Sequence, residues 1–443
     1  EPVTYPHPLL EPVLERTLGI PLFQEQLMQM ATTVGNCTAA DADLLRRAMG
    51  SKRRVERIDS LCTKLFEGMA ANGIDDDTAQ GIYARIESFA NFGFAESHAL
   101  SFAGLVYTSA WIKLHYPAVF LAALLRSQPM GFYSSATLVA DARRHGVVTR
   151  RPDVARSSVG ADLELLDACC EELGSEELET GIDECLHDHD ESEIGAFDPN
   201  RDDGDHRRDT HFAVRLGLSD VSGISIETAT RIVEERERES FVSLDDLARR
   251  VDLSGEEVEA LALAGAFDDL VGSRRGALWQ IGQINGVAPG QLDVQVVTQP
   301  PLLPEPTQME LLGDDLRATS ISTTDHPVRQ VRDALNRRGV VQVDRLDGVE
   351  ARRRIEVAGV VTHRQRPGTA GGVTFLNLED ETGLLNVIVT PGAWRHYRRV
   401  ARTSRALVVR GILERGDEGV MSLQADRLEA LDLSVPTKSR DFR

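Results

Sequence analysis

The chain has 443 residues, 42% of them hydrophobic, and 70 acidic against 49 basic residues give it a formal net charge of -21. Its length predicts about three domains. Its longest nearly uncharged run, "ALSFAGLVYTSAWI" at 99–112, is too short and too rich in Ser and Thr for a membrane span, which excludes a membrane partner. Without an apolar leader or a regular cysteine framework we expect a cytoplasmic protein, and the start at Glu1 predicts a fragment or the tail of a longer protein.

The acidic charge is concentrated in one segment. Residues 161–212 hold 19 acidic residues against Arg201, Arg207 and Arg208. The remaining sequence is nearly balanced, so it can carry local basic faces. The net charge therefore does not exclude nucleic acid as a partner.

Residues 1–150 form the first predicted domain and have the spacing of dense helix. Pro8 and Gly19 are typical of a helix start and stop, Pro117 begins another helix, and Ser134 or Ser135 caps a third. The predicted helices include "PLFQEQLMQMATTVG", "VERIDSLCTKLFEGMAANG", "PAVFLAALLRSQ" and "ATLVADARRHG".

Residues 151–212 are predicted to be a strand followed by an acidic, disordered insert, because aromatics are few and Asp, Glu and Gly are many. A metal site is the alternative. Its candidate ligands are Cys169, Cys170, Cys185, His187 and His189. The usual zinc spacings are absent, so the insert is the preferred interpretation.

Residues 213–285 predict a tandem helix-hairpin-helix DNA-binding domain. Ser222, Gly223 and Ile224 occupy a short turn in which glycine lets backbone amides approach a DNA phosphate. The segment "VDLSGEEVEALALAGAF" is a degenerate second copy. Residues 286–345 are predicted to be a linker or strap, within which Gln308, Leu311 and Leu312 of "TQMELL" weakly resemble peptides that dock on sliding clamps.

In residues 346–432 the pattern changes to the alternation of short strands, with one intervening helix, which predicts an OB-type barrel. Residues 433–443 are predicted to be a C-terminal tail. The chain is thus predicted to be multidomain α+β. In the barrel, His363, Arg364 and Arg366 near Phe375 suit single-stranded nucleic acid, with a core position as the equal alternative for Phe375.

The segment "AADADLLRRAMGSKRR" at 39–54 combines a D-x-D with paired arginines. Thr38 can cap a helix together with Asp41, and residues two apart on a helix point away from each other. Asp41 and Asp43 are therefore predicted to begin a helix and not to share a metal ion. Arg46 and Arg47, followed by Lys52, can bind a triphosphate through forked donors, or they can form a solvated basic face.

The segment "FANFGFAESHALSF" at 89–102 is the second nucleotide candidate. Phe92 can stack on a base and His98 can donate to phosphate, although a core Phe and a satisfied His are the preferred interpretation of these residues alone. Outside the D-x-D and the acidic insert we find no carboxylate cluster suited to two Mg²⁺ ions, nor a Gly-rich phosphate loop.

Long segments resemble one family. The segments "DADLLRRAMGSK" and "FGFAESHALSFAGLVYTSAWIKLHYPAVFLAALL" resemble the fingers domain of bacterial C-family DNA polymerases, the alpha-subunit family. The segments "GVTFLNLEDETGLLNVIVTPGAWRHYR" and "SRDFR" are similar to its error-prone branch, which is associated with damage-induced mutagenesis.

The resemblance implies that Arg46, Arg47 and Lys52 contact the triphosphate of the incoming dNTP and that Phe92 and His98 lie near it. It implies that the hairpin grips duplex DNA, that the barrel lies near the template, and that Mg²⁺ is held by catalytic aspartates upstream of this chain. A sliding clamp and a Y-family-like accessory protein are implied partners. The competing hypothesis is a non-catalytic DNA-binding scaffold.

Overall fold

The computed structural model describes residues 3–49, 54–89, 94–131, 133–166, 203–284, 303–416, 419–433, 435 and 440–442. These residues form two compact units, Glu1–Trp111 and Ile112–Arg443. The predicted first domain, 1–150, extends beyond the first unit because the helices after residue 112 pack within the second. None of the described helices is long and apolar enough to cross a membrane.

The first unit is helical. Its elements are α1 (Glu11–Leu14) with a 3₁₀ turn on either side, α2 (Gln24–Gly35), α3 (Ala39–Met49), α4 (Arg54–Ala71), α5 (Asp76–Phe89) and the start of α6 (Glu96–His115). One apolar core joins α1, α2, α4 and α5, and it includes Leu14, Leu27, Met30, Leu65 and Ile82. The predicted stop at Gly19 is confirmed, since its φ of +84° ends the first helical segment.

A buried glutamine fixes the entry into α2. The Oε1 of Gln26 accepts the amides of Leu22 and Phe23 at 2.8 and 3.0 Å, and its Nε2 donates to the Val13 carbonyl at 3.0 Å and to Thr17 Oγ1 at 2.8 Å. All polar atoms of this side chain are thereby satisfied, which removes the penalty for burying it. No local sequence pattern indicated that Gln26 would fix the start of this helix.

A three-stranded sheet lies at the start of the second unit, with strand order β1-β3-β2 for β1 (Val148–Arg150), β2 (Asp162–Leu165) and β3 (Phe212–Arg215). Helices α7 (Pro117–Arg126) and α8 (Ser135–Arg144) pack on it through Leu121, Leu125 and Val139. Pro117 begins α7 and Ser134 caps α8, both as predicted.

The flanks of the predicted insert are folded, which corrects that prediction. Residues 162–165 and 212–215 are strands of the sheet, and Asp203–His206 forms a short helix, α9. The buried carboxylate of Asp209 accepts the amides of Ala118 and Val119 at 2.6 and 3.2 Å, capping α7. Composition hid these contacts because they join residues about 90 positions apart. The candidate metal ligands Cys169, Cys170, Cys185, His187 and His189 lie outside the described residues.

The helical part of the second unit comprises α10 (Ile226–Arg238), α11 (Leu244–Val251), α12 (Gly255–Leu263), α13 (Asp268–Val271) and α14 (Arg274–Ile284). Serines cap α10, α11 and α12, and Thr228 of α10 donates to Glu257 of α12 at 2.8 Å. The helices therefore bury one common core around Leu247, Leu261 and Phe267.

Much of the predicted 286–345 linker is folded. Within it, α15 (Gln308–Ala318) and α16 (Arg332–Arg338) are helices, and a capping box between Thr307 and Glu310 begins α15. Leu312 is 1% exposed. The segment that resembled a clamp-docking peptide is therefore part of a packed helix.

The C-terminal strands close into the predicted OB-type barrel. They are β4 (Arg354–Gln365), β5 (Thr374–Glu379), β6 (Leu384–Val389), β7 (Ala406–Arg415) and β8 (Met421–Ala430), with α17 (Pro391–Thr403) between β6 and β7. The order β5-β6-β8-β7-β4, closed by the β4–β5 pair, leaves no free edge among these five strands. The predicted 433–443 tail also contains a strand, β9 (Arg440–Phe442), which pairs in parallel with β4 at His363–Gln365.

Candidate nucleotide and nucleic-acid sites

The first aspartate of the D-x-D, Asp41, caps α3 and contacts α4. Thr38 Oγ1 accepts the Asp41 amide at 3.3 Å, and Asp41 Oδ2 accepts the Thr38 amide at 2.7 Å, so the predicted capping box is confirmed. Lys64 of α4 also donates to Asp41. This donation, with those from Thr38, lowers the pKa of Asp41 to about 2. Asp41 therefore anchors α3 to α4.

The second aspartate pairs along the same helix. Asp43 Oδ2 lies 2.7 Å from Arg47 Nε, one turn further on, and both side chains are exposed. Exposed pairs of this spacing contribute only about 0.3–0.5 kcal/mol. Arg47 can therefore exchange its carboxylate for a phosphate at small cost.

The remaining nucleotide candidates are only partly described. Arg46 lies on α3, but its side chain, together with Lys52 and Phe92, is outside the described residues. His98 is exposed in the first turn of α6, between the rings of Phe94 and Phe102 at centroid distances of 5.2 and 4.3 Å. No contact recorded among the described residues joins His98 to Arg47.

Contacts that the sequence did not indicate hold this part of α6 against α2. The Gln24 amide donates to the Phe94 carbonyl at 2.9 Å, and the Glu96 amide donates to Glu25 at 3.0 Å. Arg16 donates to Glu96 from a position 80 residues earlier. A contact of that separation leaves no signal in local sequence spacing.

The predicted hairpin turn is exposed but unusual. Ser222 and Gly223 are exposed, Gly223 has a φ of +95°, and the Ile224 side chain is buried in the core. The Ser222 amide already donates to the Ala318 carbonyl at 2.7 Å. Only a 3₁₀ turn, Leu218–Asp220, stands where the first helix was predicted. The second copy, α11–turn–α12, has two full helices.

Two of the predicted barrel residues do not form a surface. His363 and Arg364 are 9% and 7% exposed. Arg364 Nε donates to the Ala401 carbonyl at 2.9 Å, and its Nη1 lies 3.1 Å from Asp441 Oδ1 of β9. This corrects the prediction of an exposed basic pair, because Arg364 ties α17 and the C-terminal strand to β4.

The other two barrel residues are accessible. Phe375 is 37% exposed, which decides against its core alternative, and it lies opposite Gln365 on β4. Arg366 is exposed, and its guanidinium carbon lies 5.4 Å from the ring centroid of Trp394 on α17. The arginines of α17 itself were not singled out from sequence, although their helical spacing was visible there.

A polar cavity of about 430 Å³ lies between α8, the segment after α15 and the barrel. Burial raises the pKa of Glu379 in its wall to about 7, although Arg144 Nη1 lies 3.3 Å from its carboxylate. Burial also lowers the pKa of His326 to about 3, so its ring is neutral and accepts the Val328 amide at 3.2 Å.

The raised pKa of Glu379 predicts a loss of stability as the pH rises. The folded state holds the Glu379 proton more tightly than the unfolded state, so the stabilisation is complete below about pH 4.5 and is lost as the pH passes 7. Urea unfolding of the Glu379→Gln variant should lack this decline, which is worth at most about 3 kcal/mol. The exposed control Glu414→Gln should keep it. A decline that persists in Glu379→Gln would assign it to another group.

The domain matches follow the order of these elements. Residues 1–73 match the bacterial DNA polymerase III alpha subunit finger domain, residues 146–277 a helix-hairpin-helix motif, and residues 355–431 an OB-fold nucleic acid binding domain. The predicted fold class is therefore confirmed. Over all 443 residues the chain is 98% identical to an error-prone DNA polymerase of Cutibacterium acnes. The chain is therefore similar over its whole length to error-prone DNA polymerases.

More distant members of the error-prone family also match the whole chain. The identity is 46% to the protein of Mycolicibacterium paratuberculosis and 44% to that of Corynebacterium glutamicum. The chain spans 39%, 37% and 38% of the length of these three relatives. Among solved structures, an asparaginyl-tRNA synthetase of Pyrococcus horikoshii is 20% identical over 19% of this chain and 20% of its own, with a TM-score of 0.17.

Proposed function

We propose that this chain supplies the incoming-nucleotide and DNA-binding parts of an error-prone DNA polymerase. The complete protein would catalyse template-dependent nucleotidyl transfer from dNTPs onto primed DNA, in damage-induced mutagenesis and translesion repair. The whole-chain identity of 98% to a relative of that name is the observation that carries the proposal. The finger, hairpin and OB-fold matches support dNTPs and DNA as ligands.

The catalytic metal would be held by residues outside this chain. Across the described residues, no three His, Cys, Asp or Glu side chains are grouped to hold a metal ion. Asp41 and Asp43 are engaged by Thr38, Lys64 and Arg47. These residues do not fit a Mg²⁺ site, and we derive no catalytic step from them.

Within the first unit, the proposed role of α3 is to bind the triphosphate. Arg47 projects from a helix that is held in place by the Asp41–Lys64 contact, and its guanidinium pairs with the exposed carboxylate of Asp43. A guanidinium matches the fork geometry of phosphate oxygens. Arg46, Lys52, Phe92 and His98 remain proposed members of the same site.

Within the second unit, the proposed DNA contacts are the exposed Gly223 turn and the barrel surface at Arg366 and Phe375. A sliding clamp and a Y-family-like accessory protein remain proposed partners. The segment 307–312 gives the clamp no support, because Leu312 is buried in α15.

Nucleotide binding can be tested by primer extension with the complete protein. We expect Arg46→Ala and Arg47→Ala each to raise the KM for dNTP about 10-fold or more, since a hydrogen bond to a charged group contributes about 1.5–3 kcal/mol. Because binding would be lost in ground and transition states alike, kcat should change less. Arg85→Ala, an exposed arginine of α5, is the matched control.

An unchanged KM in both variants would refute the triphosphate role. A complete protein that binds primed DNA but extends no primer would instead favour the non-catalytic scaffold. The two outcomes are distinguishable because the first requires measurable extension.

A further inference from the structure

Helix α17 of the barrel presents an unusual concentration of positive charge. Arg395, Arg398, Arg399 and Arg402 on the helix, and Arg405 just after it, are all exposed. Arg398, Arg399 and Arg402 have the i, i+1, i+4 spacing of one helix face, and Arg395 lies before a kink of the helix at Tyr397. The opposite face packs on the barrel core through Ala393, Trp394, Tyr397, Val400 and Ala401.

These five arginines differ from most others in the second unit. Arg274, Arg332, Arg338 and Arg410, for example, each lie within 3.1 Å of a carboxylate. Across the described part of the chain, no carboxylate is paired with any of the five. In a chain with a net charge of -21, five such arginines within 11 residues form a marked local reversal of charge.

The basic face continues onto the barrel. Arg366, the first residue after β4, lies over the Trp394 ring of α17 at 5.4 Å. Arg366 was predicted from sequence as a nucleic-acid contact, and its position beside the first turn of α17 joins it to the helix. At about 1.5 Å per residue, the helical stretch from Arg395 to Arg402 rises about 10 Å, comparable to the rise over about three phosphates of one strand.

The chemistry of the face favours phosphate over a protein partner. The forked guanidinium donors match phosphate oxygens. Protein interfaces are held mainly by a few aromatic or arginine anchors in fully desolvated pockets, whereas these arginines are exposed. Among the described residues, no large hydrophobic side chain between 391 and 405 is exposed. A surface of arginines without an anchor suits a polyanion.

We propose that the arginine face of α17, continued by Arg366, binds consecutive phosphates of a DNA strand. This surface shares Arg366 with the proposed barrel contact at Arg366 and Phe375 and adds the arginines of α17, which that contact does not include. The proposal shares with the proposed function only the assumption that DNA is the ligand. It requires neither nucleotide binding nor catalysis by this chain.

The test is the salt dependence of DNA binding by the 443-residue chain, measured by fluorescence anisotropy with a labelled single-stranded oligonucleotide and with its duplex. Replacing Arg395, Arg398 and Arg402 together with glutamine removes three contacts. The slope of log K against log salt should then fall by about 2 on the single strand or about 3 on the duplex. The face binds the strand form whose slope falls by the value expected for that form.

Two further variants make the result decisive. The control variant Arg337→Gln/Arg345→Gln/Arg353→Gln removes the same charge from exposed positions that lie before the barrel and at its start. Its salt-dependence slope should change by less than half as much as that of the α17 glutamine variant. Arg395→Lys/Arg398→Lys/Arg402→Lys keeps the charge and should keep most of the slope. Equal losses in the two glutamine variants, or an unchanged slope in the α17 variant, would overturn the proposal.

A lysine variant as impaired as the glutamine variant would also overturn it, because the loss would then not depend on charge. The proposal would also be overturned if the unaltered chain bound no DNA measurably. That result would leave the test of Arg46 and Arg47 by the KM for dNTP unaffected. If the chain bound an acidic peptide but not DNA, the face would be a protein-binding surface, and the assignment to phosphate would be refuted.

Discussion

Replacing Asp315 with alanine should lower the free energy of unfolding of the second unit by about 3–5 kcal/mol, the usual cost of breaking a buried ion pair. Its Oδ1 lies 2.8 Å from Arg274 Nη2, and the two side chains are 3% and 2% exposed. Arg151 also lies 3.4 Å from the same oxygen. The substitution would leave the Arg274 charge buried without its partner, which is the main cause of the loss.

Hydrogen exchange of peptides covering α14 and α15 would measure this loss locally. Asp269→Ala is the matched control, because its pair with Arg156 is about half exposed on both sides and should contribute less than about 1 kcal/mol. Replacing Arg274 and Asp315 together with Met and Leu should recover much of the stability, since no charge then stays buried. Similar losses in Asp315→Ala and Asp269→Ala would contradict a buried pair.

The same ion pair shows why part of the fold could not be predicted. Arg274 and Asp315 are 41 residues apart, and the sequence between them is rich in Pro, Gln and Val, which favoured a linker. The capping box of Thr307 and Glu310 lies within the segment that weakly resembled a clamp-docking peptide. Local patterns identify where a helix can begin, whereas its partners depend on contacts across the chain.

Local chemistry was a better guide at the helix starts. Thr38 with Asp41 and Ser134 before α8 were predicted from residue types and spacing alone, and both caps are present. These interactions close within three residues, so no tertiary information is needed to predict them. The assignment of the D-x-D to a helix start rested on the same local chemistry, and Asp41 does cap α3.

The barrel shows the opposite limit. Alternation predicted the strands, but it could not show that both faces of β4 are covered. Val328, Leu335 and Val340 pack against Ala358 and Val360 on its outer side, and β9 pairs beside His363 and Arg364. His363 and Arg364, which were predicted to face nucleic acid, are buried beside a strand of the predicted tail, and Arg364 also contacts the end of α17.

Gly68→Ala should destabilise the first unit by about 3 kcal/mol or more, because helices α2 and α4 touch backbone to backbone at this residue. A Cβ at Gly68 would lie 2.0 Å from the Gly35 carbonyl oxygen and 2.2 Å from its carbon. Since both are main-chain atoms, no side-chain rotation can relieve the clash, and the helices must separate. Hydrogen exchange in α2 and α4 would measure the effect.

Gly81 of α5 provides the matched control, since a Cβ there would meet nothing within 4 Å. Gly81→Ala should stabilise the unit by about 0.5–1 kcal/mol, because alanine loses less backbone entropy in a helix than glycine. Helix α3 packs on both α2 and α4, and Lys64 of α4 holds its first turn. Separation of the two helices should therefore also weaken dNTP binding at Arg47. If hydrogen exchange in α2 and α4 and the KM for dNTP were both unchanged in Gly68→Ala, the close contact between these helices would not be needed.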